Sequence, residues 1–146
     1  MASPILSVME IREYLSDKPE LNYLLDREEF SPTQISLAMD LAVSEFNLIP
    51  PLSGLTTSSF PNKALLMSGT LYKLFQGACA LLARNTLSYS DGGIAVPVEE
   101  HFPLYQSLAA MFQTDFQNAA RSYKTQKNYE AGWGGINSDY GAFPLW

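Results

Sequence analysis

Residues 61–84 read PNKALLMSGTLYKLFQGACALLAR, and the reading of this stretch decides the fold. Leu65, Leu66, Met67, Leu71, Tyr72, Leu74, Phe75, Leu81 and Leu82 place apolar side chains nearly all round a helix, as in a helix covered on most sides. With Pro61 in a first turn, the pattern predicts a helix from about Ser59 to Arg84. Gly69, Gly77, Ala78 and Ala80 supply small positions where another helix can approach closely. The stretch is about long enough to cross a bilayer. However, Lys73 and Gln76 stand at its middle, with Ser68, Gly69 and Thr70 nearby. It is therefore read as the central buried helix of a helical domain, with no membrane as partner.

Working outward, Ser31-Pro32-Thr33-Gln34 is the clearest helix start: a cap, a proline suited to the first turn and a reciprocal Gln. Ile35, Ala38, Met39, Ala42 and Phe46 recur at helical spacing, and Leu37 and Leu41 form a second stripe beside them. Two adjoining stripes predict a helix covered on more than one side. Asn47 and Pro50-Pro51 end it. Towards the N-terminus, Ser7 and Glu10 form a capping box ahead of a short helix to about Ser16, and Pro19 to Leu25 suggests another turn of helix.

Beyond the central helix, two short β-prone runs flank Asp91-Gly92-Gly93, which predicts a small hairpin over about 87–96. The last helix starts or kinks around His101–Pro103 and runs to about Lys127. Tyr105, Ala109, Phe112, Phe116, Ala119 and Tyr123 form its packing seam, widened by Leu104, Leu108 and Met111. Arg121, Lys124 and Lys127 suit the C-terminal end of a helix dipole. The expected fold class is therefore all-α: a small bundle of three to four main helices with a short β-hairpin and an extended C-terminal arm. The hub spans 1–128 and the arm 129–146.

That arm reads YEAGWGGINSDYGAFPLW. Its apolar residues follow neither a helical nor a strand period, and its glycines oppose regular structure. Its aromatic content opposes disorder. Tyr129, Trp133, Tyr140, Phe143 and Trp146 are the candidate docking residues, because Trp and Tyr often anchor interfaces.

Charged residues make up 16% of the chain, against roughly 25% in typical soluble domains, which implies that much of the surface is covered by something. The net charge is −6, and residues 1–50 carry the whole excess with nine acids and three bases. No basic face is present for coating nucleic acid. An acidic wall facing a DNA channel remains compatible, and Glu28 and Glu29 are the candidate lumen-facing or tail-facing acids. The lone Cys79 permits no intramolecular disulfide, and the N-terminus carries no signal-peptide pattern.

Chemistry is poorly supplied. His101, the single histidine, has no nucleophile at a recognisable motif, and Cys79 lies in the apolar Gly77–Ala80 run of a core residue. Glu28-Glu29 and Glu99-Glu100 are sequence neighbours, which point different ways on a helix. Asp91-Gly92-Gly93 lacks the ligands of a calcium loop, and Gly132-Trp133-Gly134-Gly135 lacks the strand, helix and lysine of a phosphate loop. No catalytic, cofactor or metal site is expected, and the chain is read as a non-enzyme.

The helices at 31–46 and 61–84, the LSYSDGGIAV run at 87–96, the helix at 104–127 and the aromatic arm together resemble the head–tail connector (adaptor, or neck) proteins of tailed bacteriophages. The resemblance is one of layout and covers most of the chain. It implies a structural virion protein of the neck, assembled in the bacterial cytoplasm. Its copies would form a ring, commonly a dodecamer. Its partners would be the portal protein, a downstream neck or tail protein and double-stranded DNA passing through the lumen without specific binding. The alternative is a non-enzymatic helical binding module or assembly factor that uses its aromatic arm on a protein partner. A small enzyme is the third reading.

Overall fold

The computed structural model describes residues 4–22, 26–85, 89–91, 94–96 and 101–133. They form four helices: α1 (Val8–Leu15), α2 (Pro32–Leu48), α3 (Lys63–Asn85) and α4 (His101–Trp133). Between α3 and α4, β1 (Tyr89–Asp91) and β2 (Ile94–Val96) pair antiparallel, with Ser90 opposite Ala95. Three residues a strand build no sheet layer, so the architecture is all-α. Leu87, Ser88, Gly92 and Gly93 lie outside the described residues.

The caps explain where the helices begin. Ser7 and Glu10 close a capping box on α1, and Ser31 and Gln34 close another on α2 with Pro32 in its first turn. α3 starts at Lys63, not at Ser59, because Thr56–Ser59 closes a turn of its own through the Ser59 N–H to Thr56 carbonyl bond of 3.2 Å. Asn62 then caps α3, its Oδ1 accepting the Leu65 N–H at 3.1 Å. The loop between α2 and α3 is held by one side chain. Asn47 donates to the Leu55 carbonyl at 2.8 Å and accepts from Leu55 N–H and Ser53 Oγ. That turns Phe60 into the core, edge-on to Phe46 with centroids 4.8 Å apart.

α2, α3 and α4 form the body. Ile35, Ala42 and Phe46 of α2 meet Leu66 and Leu71 of α3 and Phe116 of α4, all fully buried. Phe75 and Phe112 stack with planes 9° apart. Gly69 lets all three helices converge, since a Cβ there would lie 2.7 Å from Phe116 and 2.9 Å from Ala42. α3 and α4 run antiparallel, as Gly69 facing Phe116 and Phe75 facing Tyr105 require. α3 is long and apolar enough to span a membrane by length and composition. In this fold its apolar residues Leu65, Leu66, Leu71, Leu74 and Phe75 fill the bundle core.

Two expectations for α4 are corrected. The buried residue in its seam is Ala120, with Ala119 exposed. The seam follows the 3.6-residue period of a straight helix, which drifts from strict heptad spacing. Secondly, α4 does not stop near Lys127. Lys124 turns inward and is buried, and Lys127 pairs with Glu130 at 2.7 Å, one turn further on. Intrahelical pairs of this spacing favour continuing the helix. The hub–arm boundary expected at 128/129 therefore falls inside α4, and Tyr129 and Trp133 are helical. Tyr140, Phe143 and Trp146 lie outside the described residues.

The N-terminal segment is fastened by a buried carboxylate. α1 ends at Ser16 in the left-handed region (φ 54°), which directs Asp17 inward. Asp17 accepts the Glu29 N–H at 2.7 Å, the Phe30 N–H at 3.1 Å and Asn22 Nδ2 at 2.7 Å. Asn22, Glu29 and Phe30 are thereby tied to the end of α1, and Phe30 enters the core against Phe75. Pro19, Glu20 and Leu21 form a turn closed by the Leu21 and Asn22 N–H groups on the Lys18 carbonyl, and the rest of the helical turn expected to Leu25 lies outside the described residues.

Candidate docking surface

The second stripe of α2 is where the structure departs most usefully from the sequence. Leu37 is 58% exposed and Leu41 46%, so the described residues leave that side of the helix open. Across from them, α3 presents Ala78 and Leu81, the latter 50% exposed. Between the two helices runs a groove of about 280 Å³, with Glu29, Lys73 and Arg84 also in its lining. The space at Gly77 is open enough that a Cβ on that residue would meet nothing within 4 Å. Gly69 and Gly77 have the same sequence signature. One allows helices to meet, and the other leaves space.

Polar side chains brace the walls of this groove. Lys73 Nζ lies 2.8 Å from Glu45 Oε2 and 2.6 Å from the Tyr72 hydroxyl. Tyr72 donates to Glu45 at 2.7 Å, and Gln117 of α4 adds a longer bond of 3.4 Å. Burial opposes ionisation of Glu45, but its bonds from Lys73 and Tyr72 outweigh that and hold its carboxyl below the usual range. Burial likewise opposes the charge on Lys73, and Glu45 with Tyr72 outweighs it, so its pKa is raised. The trio is a self-contained brace between α2 and α3, and its charges are spent within the fold.

Glu28 and Glu29, the candidate channel acids, are also engaged. Glu28 forms an ion pair with Arg12 of α1, whose Nη2 also reaches the Phe30 carbonyl at 2.9 Å. Glu29 accepts a hydrogen bond from the Tyr105 hydroxyl, and burial together with Glu29 pushes that phenol's pKa up. Glu10 is likewise spent on Lys63 and Ser7, which hold its pKa at about 2. Of the six excess negative charges of the first third, Lys63 and Lys73 of α3 offset two, through Glu10 and Glu45.

A second exposed apolar stripe lies on α4, formed by Leu104 (62% exposed), Leu108 and Met111. These residues flank the seam and do not widen the core, as their spacing had suggested. At the far end of α4, Lys124 is buried without a carboxylate partner among the described residues. Its Nζ donates to the Pro51 carbonyl at 2.7 Å and Ser53 Oγ at 2.6 Å, over the Phe46 ring. Burial lowers its pKa. Beyond it, Thr125 to Gly132 are exposed, and Thr125, Asn128 and Tyr129 line a shallow pocket with Pro50 and Pro51.

His101 is exposed at the first residue of α4, and Cys79 is half-buried, not a core residue. Asp91 ends β1, and Gly132 lies in α4 with open space where a Cβ would stand. Glu99, Glu100, Gly134 and Gly135 lie outside the described residues. Among the described residues, no group of three His, Cys, Asp or Glu side chains is placed to hold a metal ion. Sequence reasoning missed the groove, the Glu45–Lys73–Tyr72 brace and the buried Lys124. The first had a signal, since Leu37 and Leu41 leave a stripe facing away from the Ile35–Phe46 core line.

Comparison of the chain with protein-family models, curated proteins and solved structures finds no match.

Proposed function

We propose that this chain is a structural subunit of a phage neck, a head–tail connector that assembles as a ring between portal and tail and leaves a channel for DNA. The observation that carries the reading is the exposed end of α4. Beyond the buried Lys124, Thr125–Gly132 are exposed and Tyr129, the first docking residue of the 129–146 arm, is 64% exposed, which suits a segment meant for another chain. The low charge and the open apolar stripes on α2 and α4 support a subunit with neighbours on more than one side. Function in this reading is mechanical: a rigid hub, repeated contacts around an axis and an arm whose weak contacts are multiplied by symmetry. Glu28 and Glu29 remain the candidate lumen-facing or tail-facing acids, held in place by Arg12 and Tyr105.

The test is imaging of the concentrated full chain by electron microscopy, alongside a chain lacking Tyr129–Trp146. Closed rings with a central channel are expected of the full chain. The shortened chain is expected to keep its helical circular dichroism and cooperative melt. A chain that forms no ring at any concentration overturns the connector reading. A shortened chain that unfolds shows that the arm belongs to its own core, and the docking role falls.

The binding-module alternative shares the arm and needs no ring. Single particles that still capture a protein through Tyr129–Trp146 would favour it.

A further inference from the structure

The groove between α2 and α3 and the apolar flank of α4 are complementary surfaces on different sides of one chain. On α4, Gln117 marks the side that faces α2, through its bond to Glu45. At about 100° per residue, Leu104, Leu108 and Met111 fall on the other flank of the seam. A chain therefore cannot cover its own groove with its own stripe.

The two surfaces match in length and charge. From Leu104 to Asp115 the stripe spans about 16 Å of helix, and from Leu74 to Arg84 the groove wall spans about 15 Å. Stepping back from Arg84, the wall offers Leu81, Ala78 and Leu74, all of them groove-lining. Stepping back from Asp115, the stripe offers Met111, Leu108 and Leu104 with the same spacing among themselves, each one residue, about 1.5 Å, further from its charge. Asp115 and Arg84 are both exposed, and neither has an ion-pair partner among the described residues. The groove's other charges are committed, Lys73 to Glu45 and Glu29 to Tyr105.

We propose that a second copy of this chain lays Leu104, Leu108 and Met111 of its α4 into the groove lined by Leu37, Leu41, Ala78 and Leu81, with its Asp115 meeting Arg84. The contact is heterologous, with ridge on one copy and groove on the next. Its repetition gives a ring if the rotation closes and a filament if it does not. The inference rests on the ring-subunit reading and deepens it by naming the faces that meet.

Disulfide trapping tests it in the full chain with Cys79→Ser. A Leu81→Cys copy and a Leu108→Cys copy, distinguished by tags of different mass, are mixed and oxidised gently. Mixed pairs are expected to exceed both same-variant pairs by about tenfold, roughly the preference that one good interface confers. Same-variant pairs in excess, or no linkage, overturn the proposal. Linkage that appears only after residues 134–146 are removed also overturns it, because the groove then belongs to the arm. In a second arm, Arg84→Asp and Asp115→Arg copies should each self-associate poorly and should associate when mixed. Failure of the mixture to recover removes the ion pair from the proposal. If wild-type rings form without Leu81–Leu108 linkage, the interface lies elsewhere and the connector reading stands. If linkage forms and only open filaments are seen, the interface stands and the connector reading falls.

Discussion

Gly69 of α3 and Phe116 of α4 meet with no room for a methyl group between them, because a Cβ on Gly69 would stand 2.7 Å from the phenyl ring. In a helix interior, Gly→Ala ordinarily gains about 1 kcal/mol from backbone entropy. At position 69 overpacking outweighs this, and Gly69→Ala should destabilise by about 1–3 kcal/mol. Gly77→Ala, with nothing within 4 Å, should gain the ordinary increment. Urea melts of the two variants should shift in opposite directions.

Asp17 is the fastening of the N-terminal third. Asp17→Ala leaves the Phe30 N–H without its acceptor in a buried site, frees the Glu29 N–H, and leaves Asn22 only its bond to the Arg27 carbonyl. A cost of about 3 kcal/mol is expected, from lost bonds to a charged acceptor. Proteolysis within residues 18–30 should accelerate more than elsewhere if that loop is released.

The Glu45–Lys73 pair sets a pH window. Glu45's carboxyl is depressed in the fold, so its stabilisation is complete above its ordinary 4.5 and is lost as pH falls through the lower folded value. Lys73's ammonium is raised, so its share is complete below its ordinary 10.5 and is lost at higher pH. Glu45→Gln should cost about 1–2 kcal/mol at neutral pH. It should also flatten the acid limb of Tm against pH, and an unchanged acid limb would remove Glu45 from the account.

Leu66 and Leu37 stand one helix apart and face opposite fates. Leu66→Ala empties a fully buried site and should cost about 2–5 kcal/mol. Leu37→Ser with Leu41→Ser touches an open stripe and should change hub stability by no more than about 0.5 kcal/mol per site. A large loss of monomer stability in the double variant would mean the stripe is covered within the chain.

The parts of the fold legible in the sequence were those written in local chemistry. Ser7, Ser31 and Pro32 announce their helix starts because caps and first turns use few residue types. Phe116 and Phe46 announce the core through helical spacing. The start of α3 is read four residues early, near Ser59 with Pro61 in the first turn, because the Thr56–Ser59 turn that closes on itself and leaves Asn62 as the cap is not written in the spacing. The end of α4 was misread because Lys124 looks like a cation for a helix terminus. Its long apolar stem instead carries the charge inward to backbone and hydroxyl oxygens. The openness of Leu37 and Leu41 depends on which helices stop short of them, a matter of tertiary arrangement that spacing does not encode.

Lys124 has one more consequence. It is the last side chain of α4 buried in the hub among the described residues, and about 14 Å of helix continues past it to Trp133. That length behaves as a stiff bracket. The backbone of Trp133 is thereby held at a set height and bearing over the hub. Shortening or softening the bracket, with no change to the aromatic residues themselves, would alter the reach and orientation of the proposed joint.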